Sequence, residues 1–177
     1  MKSFLGAWLS VLLLLAPPVR ADDNKAYLNN GYSLLYQLCD QEKPVDMILI
    51  VKTTPRDVAD FIHEVAKTSK DNEALLEDLQ DHDKAIRFDR GGLPQFELNT
   101  RDAIKADKQH MLLFGTTDKA FARALLVTQI EAGSYCMNLA KVLADAETNP
   151  HRAAALQKIS ASWEKLRDKA YRLLNEQ

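Results

Sequence analysis

Apolar residues along this chain recur at intervals of three and four, the spacing that lines one face of an α-helix. Over residues 24–42, Leu28, Tyr32, Leu35 and Cys39 share such a face. Glu42, Val45, Leu49 and Lys52 carry it on across Pro44, a residue that kinks or interrupts helices, so a kinked first helix is predicted over 24–52. Thr54-Pro55 is a start signal, a capping threonine before a proline at the first helical position. Val58, Phe61, Ile62 and Val65, then Leu75, Leu76 and Leu79, mark a second helix over 55–84, with a bend expected at the polar patch from Ser69 to Asn72. Gly91, Gly92 and Pro94 interrupt the periodicity, so 85–100 reads as a loop. Thr100 then caps a short helix over 101–113, with Ile104 and Met111 inward and Gly115 as its stop.

Phe121, Leu125, Thr128, Ala132, Tyr135, Leu139 and Val142 step by four and three without a slip, predicting a third long helix over 118–147. Leu126, Val127 and Ile130 lie off that stripe, suiting a cover for the crossover segment or a surface for a partner. Asn149-Pro150 repeats the cap-and-proline signal, and Leu156, Ile159, Trp163, Leu166, Ala170 and Leu173 mark a last helix over 150–175. The first and second helices, and the third and last, are joined by a few residues and should form antiparallel hairpins. About 33 residues separate the hairpins. The fold class expected is all-α, a four-helix bundle of ferritin-like topology whose long crossover carries a short extra helix.

With an export signal, described next, this layout and a segment like Phe121 to Leu174 resemble uncharacterised bacterial exported proteins with ferritin-like bundles. The resemblance lies in helix layout and apolar spacing, and it implies a fold rather than an activity. Such relatives often carry histidines in the third and fourth helices. This chain has none over 118–147 and only His151 at the start of the last helix.

Met1-Lys2, the apolar run from Phe4 to Ala16 and Val19-Arg20-Ala21 have the order of a secretory signal peptide over 1–21. The run is short for a membrane span, which needs roughly 20 residues. A single mature domain over 22–177 follows, with no further stretch of spanning length, and its localisation is expected to be periplasmic or secreted. Without Lys2 and Arg20 the chain holds 21 basic against 25 acidic residues, alternating in sign. Nucleic acid is thereby disfavoured as a partner, because phosphate binding needs clustered positive charge. The only cysteines, Cys39 and Cys136, read in an exported chain as one disulfide, with two buried thiols as the competing reading.

Candidate chemistry is sparse. Ferritin-like metal sites use inward glutamates and Glu-x-x-His pairs. The nearest equivalents are Asp60-x-x-His63, Asp107-x-x-His110 and Glu131, whose helical phase sets them off the apolar faces and favours solvated side chains over ligands. Asp78 and His82 suit a surface pair better than a weak zinc site. Gly133-Ser134-Tyr135 falls inside a helix rather than at a strand-to-helix elbow, and Gly91-Gly92 lacks a phosphate-binding context. Tyr27, Tyr32, Tyr36, Tyr135 and Trp163 would line a ligand pocket or, as the preferred reading, fill the core and its edges. The function expected is that of an exported, non-catalytic helical bundle acting by binding in the cell envelope, with no cofactor and a protein or small-molecule partner. The alternatives are a ferritin-like metal-binding protein or oxidoreductase, and a carrier of a small apolar ligand.

Overall fold

A computed structural model describes residues 21–88 and 94–176, and all the regular structure among them is helical. The described residues form five α-helices: α1 (Ala21–Glu42), α2 (Arg56–His82), α3 (Gln95–Phe114), α4 (Asp118–Ala146) and α5 (Pro150–Glu176). The expected leader lies outside the described residues except for Ala21, the first residue of α1, and Gly91-Gly92 also lies outside them.

Pro44 does more than kink the first predicted helix. It ends α1 at Glu42, and the chain resumes as a 3-10 helix over Val45–Ile50, with Val45, Ile48 and Leu49 half-buried and Met47, Ile50 and Val51 exposed. At α2, Pro55 precedes the first helical residue, and Thr54 bonds the Pro55 carbonyl instead of capping. No interruption occurs at the polar patch: Ser69 Oγ donates to the Val65 carbonyl within a continuous helix, and both Ser69 and Asn72 are buried. At α5 the cap forms as read, with Asn149 Oδ1 accepting from the amides of His151 and Arg152.

The crossover helix departs most from expectation. It starts six residues earlier than predicted, directly after Pro94, so Thr100 is an internal residue whose hydroxyl donates to the Phe96 carbonyl. Gly115 does terminate it. Ile104 is exposed rather than inward, Met111 is half-buried, and Leu112 is the buried anchor.

Hydrogen bonds show how the helices lie. Tyr36 to Glu77 and Lys43 to Glu73 run α1 against α2 in opposite directions. Tyr32 to Glu147 and Gln129 to Glu42 do the same for α1 and α4. Lys169 to Glu64 and Asn72 to Ser162 pair α2 with α5, and Ser160 to the Met137 carbonyl pairs α4 with α5. Two glycines allow close approach. A Cβ at Gly31 would lie 2.2 Å from Leu143 Cδ2, and one at Gly133 would lie 3.1 Å from Arg167 Cβ.

The core is one cluster fed by all these helices. The whole predicted stripe of α5 is buried, with Trp163 at its centre, and so are Val58, Phe61, Ile62, Val65, Leu76 and Leu79 of α2. On α4 the stripe holds at Phe121 and Leu125 and then diverges: Tyr135 and Val142 are exposed, while Leu126, Ile130, Cys136, Ala140 and Leu143 are buried. A strict heptad reading drifts by about 20° per heptad against a straight helix of 3.6 residues per turn, so after three heptads it points at a flank.

Cys39 and Cys136 are both fully buried and both free, so no disulfide joins α1 to α4 and the expected bridge is corrected to two buried thiols. Burial pushes the Cys39 thiol up to about 12, and burial raises Cys136 well above the ordinary value, with Cys39 and Glu42 adding to it. Neither sulfur is a nucleophile at neutral pH, because reactivity requires the thiolate.

Candidate functional site

The side chains singled out for metal chemistry are not gathered. Asp60 is exposed on α2 and pairs loosely with Arg56 at 3.9 Å. His63, one turn on, turns its Nδ1 to Asp46 of the 3-10 segment at 3.2 Å. Asp107 and His110 are exposed on α3, where His110 tilts against the Phe114 ring. Glu131 of α4 is held by Lys108 of α3. Among the described residues no group of three or more His, Cys, Asp and Glu side chains is placed to hold a metal ion. His82 bonds the Asp78 carbonyl on the surface of α2, as a surface pair should.

The aromatics divide by position. Tyr32 and Trp163 fill the core, while Tyr36 lies at its edge, stacked on Phe88 and donating to Glu77. Burial first, and then the bond to Glu77, push the Tyr36 hydroxyl up to about 12. Tyr27 and Tyr135 are exposed.

Tyr135 belongs to a shallow, open groove of about 560 Å³ along the outer side of α4. It is lined by Glu131, Ser134, Tyr135, Asn138, Leu139 and Val142. Its lining comes from α4 alone, and α3 touches two of these residues, through Arg101, which donates to the Tyr135 hydroxyl and lies over its ring, and through Lys108 on Glu131. The groove is apolar and offers a hydroxyl, a carboxamide and an already paired carboxylate, a set that suits docking rather than bond-making. Sequence reasoning assigned Leu139 and Val142 to the core. Their apolar character was visible, and the side of the helix they occupy was not.

Two polar clusters lie beneath the surface. At one end, Glu147 accepts from Tyr32, from the Asn149 amide and from two nitrogens of Arg152, which also reaches Asp83. Burial works to raise the Glu147 carboxyl, but the bonds from Arg152, Asn149 and Tyr32 outweigh it and hold the group below the usual carboxylate range. Its partners come from α1, the α4–α5 turn and the first turn of α5, a convergence that no spacing in the sequence announces.

The second cluster is Glu42 with Gln129, whose Nε2 donates to the carboxylate at 3.1 Å. Gln129 is buried and its Oε1 has no partner. Burial raises the Glu42 pKa, opposed by Gln129, Lys108 and Lys105. An acid raised in the folded state leaves stability intact below its unfolded value and loses it as pH rises through the folded value. Glu42→Gln should therefore stabilise the protein at pH 7 by about 1–3 kcal/mol, removing an unfavourable buried charge and offering an amide N–H to Gln129 Oε1. Urea unfolding at pH 7 and pH 4 checks this, with the gain fading at the lower pH. A loss of stability at pH 7 would mean that the carboxylate is better solvated than its surroundings imply.

No described helix is long and apolar enough to cross a membrane. Comparisons of the chain with family models, with curated proteins and with solved structures find no match.

Proposed function

We propose that this chain is an exported, non-catalytic helical protein of the cell envelope that acts by binding, through the surface formed by α3 and α4. The observation that carries the reading is where the exposed apolar side chains lie. Of the eleven large hydrophobics exposed among the described residues, six belong to α3 and α4 and none to α2. Scattered single apolar residues are ordinary on any surface, but their concentration beside a groove marks an interaction surface.

The architecture proposed beneath it is a ferritin-like four-helix bundle of α1, α2, α4 and α5, with α3 in the crossover. It is supported by the antiparallel α1–α2, α1–α4, α2–α5 and α4–α5 pairings, which leave α2 and α4 running the same way. Two parallel helices consecutive in the bundle need a connection that travels its length. The expected leader over 1–21 supports export, to the periplasm or beyond.

The test is made on protein recovered from its own host. Fractionation should find it in the envelope or medium with its N-terminus near Asp22. Elemental analysis should find well under one iron, manganese or zinc per chain. A tightly held ion that is lost on changing His63 or His110 to alanine would replace the binding reading with a metalloprotein.

A further inference from the structure

α3 is seated on the bundle differently from the other four α-helices. Leu98, Arg101, Lys105, Lys108 and Leu112 follow one another at steps of three and four, so they share one side of it. In α5 the corresponding stripe is apolar throughout and wholly buried. In α3 its three middle positions are cations. Two of them reach the bundle: Arg101 donates to the Tyr135 hydroxyl at 3.0 Å and lies over its ring, and Lys108 pairs with Glu131. Lys105 and Lys108 also draw on the Glu42 carboxylate. The clasps stay wet, since the side chains of Arg101, Lys108 and Glu131 are 34%, 40% and 56% exposed.

Apolar attachment is confined to the C-terminal turn. Leu112 is the one buried residue of α3, and Met111 beside it packs on the core cluster. The large apolar residues Phe96, Ile104 and Phe114 are exposed. Just past this turn the chain is pinned again: Lys52 donates to the Thr116 carbonyl at 3.0 Å, and Thr116 Oγ1 donates to the Leu112 carbonyl at 3.3 Å. One end of α3 is therefore fixed to the core, while the stretch up to Lys108 rests on exposed polar contacts. Such contacts contribute little and are screened by salt, whereas apolar packing is what holds most helices in place. A 20-residue helix alone in water is marginal, so whatever lifts α3 also lets its amides exchange.

We propose that α3 is a hinged strap, which lifts from α4 about its Leu112–Thr116 end while the rest of the bundle stays folded, and that the contacts of Arg101 and Lys108 set how often it does so. Lifting frees the Tyr135 hydroxyl and the Glu131 carboxylate, which belong to two of the residues lining the groove on α4. In the closed state both groups are occupied by α3. In the open state both are available to solvent or to a ligand, so α3 controls the polar edge of the groove. The motion is a property of the fold and holds whether or not the groove is the binding surface proposed above.

Hydrogen exchange of the full chain, followed by mass spectrometry at neutral pH, tests it. Peptides from 95–108 should exchange about 100-fold or more faster than peptides from α5. Raising the salt from about 0.01 M to about 1 M shortens the Debye length from about 30 Å to about 3 Å. That change should speed 95–108 further and leave α5 as it was. Lys108→Ala should speed the same segment about two- to five-fold in low salt, and the difference from wild type should fade in high salt. Arg101→Ala should speed it in both, because its bond to an uncharged hydroxyl is screened less. Alanine is the strongest helix former, so neither acceleration can come from lost helix propensity. Arg101→Ala also removes a pair with Glu97 inside α3. Tyr135→Phe, which deletes only the hydroxyl, repeats the test from the α4 side and should act in the same direction. The inference is overturned if 95–108 is protected as deeply as α5, or if its exchange ignores salt and all three variants. It is equally overturned if the variants speed every helix alike, because the opening would then be global unfolding rather than the lifting of one strap.

Discussion

Arg152→Ala should cost about 3–5 kcal/mol at neutral pH, because it leaves a buried carboxylate without its cation. The Glu147 side chain is fully buried, and Arg152 meets it twice, through Nε at 2.9 Å and Nη2 at 2.8 Å. Tyr32 donates to the same carboxylate at 2.8 Å and the Asn149 amide at 3.0 Å. Arg152 also holds Asp83 just past the end of α2. Directly or through Glu147, one guanidinium therefore ties together the middle of α1, the end of α2 and the α4–α5 turn. Lysine would not substitute, since a point charge cannot reproduce the two-nitrogen contact.

The pH dependence follows from the depressed Glu147 pKa. In the wild type its contribution is present above the unfolded value and is lost as pH falls through the folded one. In the variant, burial acts unopposed by the arginine, so ionised Glu147 becomes a penalty that protonation relieves. The deficit should thus be largest near pH 7 and shrink toward pH 4. Urea unfolding at both values measures it. A loss below about 1 kcal/mol, or one equal at both pH values, would mean that Glu147 is solvated and the pair is an ordinary surface contact.

How far the sequence foretold the molecule depended on the kind of signal. The stripe of α5 was legible in full, since a helix with one apolar face and a proline-marked start has a single way to lie on a core. The faces of α4 were not, because two apolar seams overlap on one helix and a heptad count selects the more regular of them, which here faces outward. The start of α3 was missed because Thr100 offers a cap signal that Pro94 supersedes. Asp60, His63, Asp107, His110 and Glu131 are all exposed, and of them only Glu131 lines the concavity on α4, a placement that helical phase alone does not give. The Cys39–Cys136 bridge was inferred from compartment chemistry, and that argument says that a pair of cysteines tends to be oxidised, not that this pair is. Gln129 gave no signal at all: a polar residue beside Leu126 and Ile130, which lie off the regular stripe, attracts no notice until that side of α4 proves to be buried.

Trp163→Ala should cost about 3–5 kcal/mol, the range for deleting a fully enclosed large aromatic. Trp163 is the largest of the fully buried side chains, at 1% exposure. It sits midway along the α5 stripe between Ile159 and Leu166, in the same core cluster as Cys39 of α1 and Cys136 of α4. The neighbouring backbone cannot close readily over the void, because α4 already approaches α5 closely at Gly133, 3.5 Å from the Trp163 carbonyl to an added Cβ. The indole N–H has no hydrogen-bond partner of good geometry, although it acts on the Cys39 thiol, drawing it down against the rise that burial causes. The ring should therefore stabilise the fold through its contacts rather than through its polar atom. Trp163→Phe separates the two contributions: it keeps most of the packing, discards the N–H, and should cost less than about 1.5 kcal/mol. Denaturant unfolding of both variants decides the matter. A Trp163→Ala loss under about 1 kcal/mol would place the side chain outside the core and undo the phase assigned to α5. A Trp163→Phe loss equal to that of alanine would show instead that the indole N–H makes a bond the fold depends on.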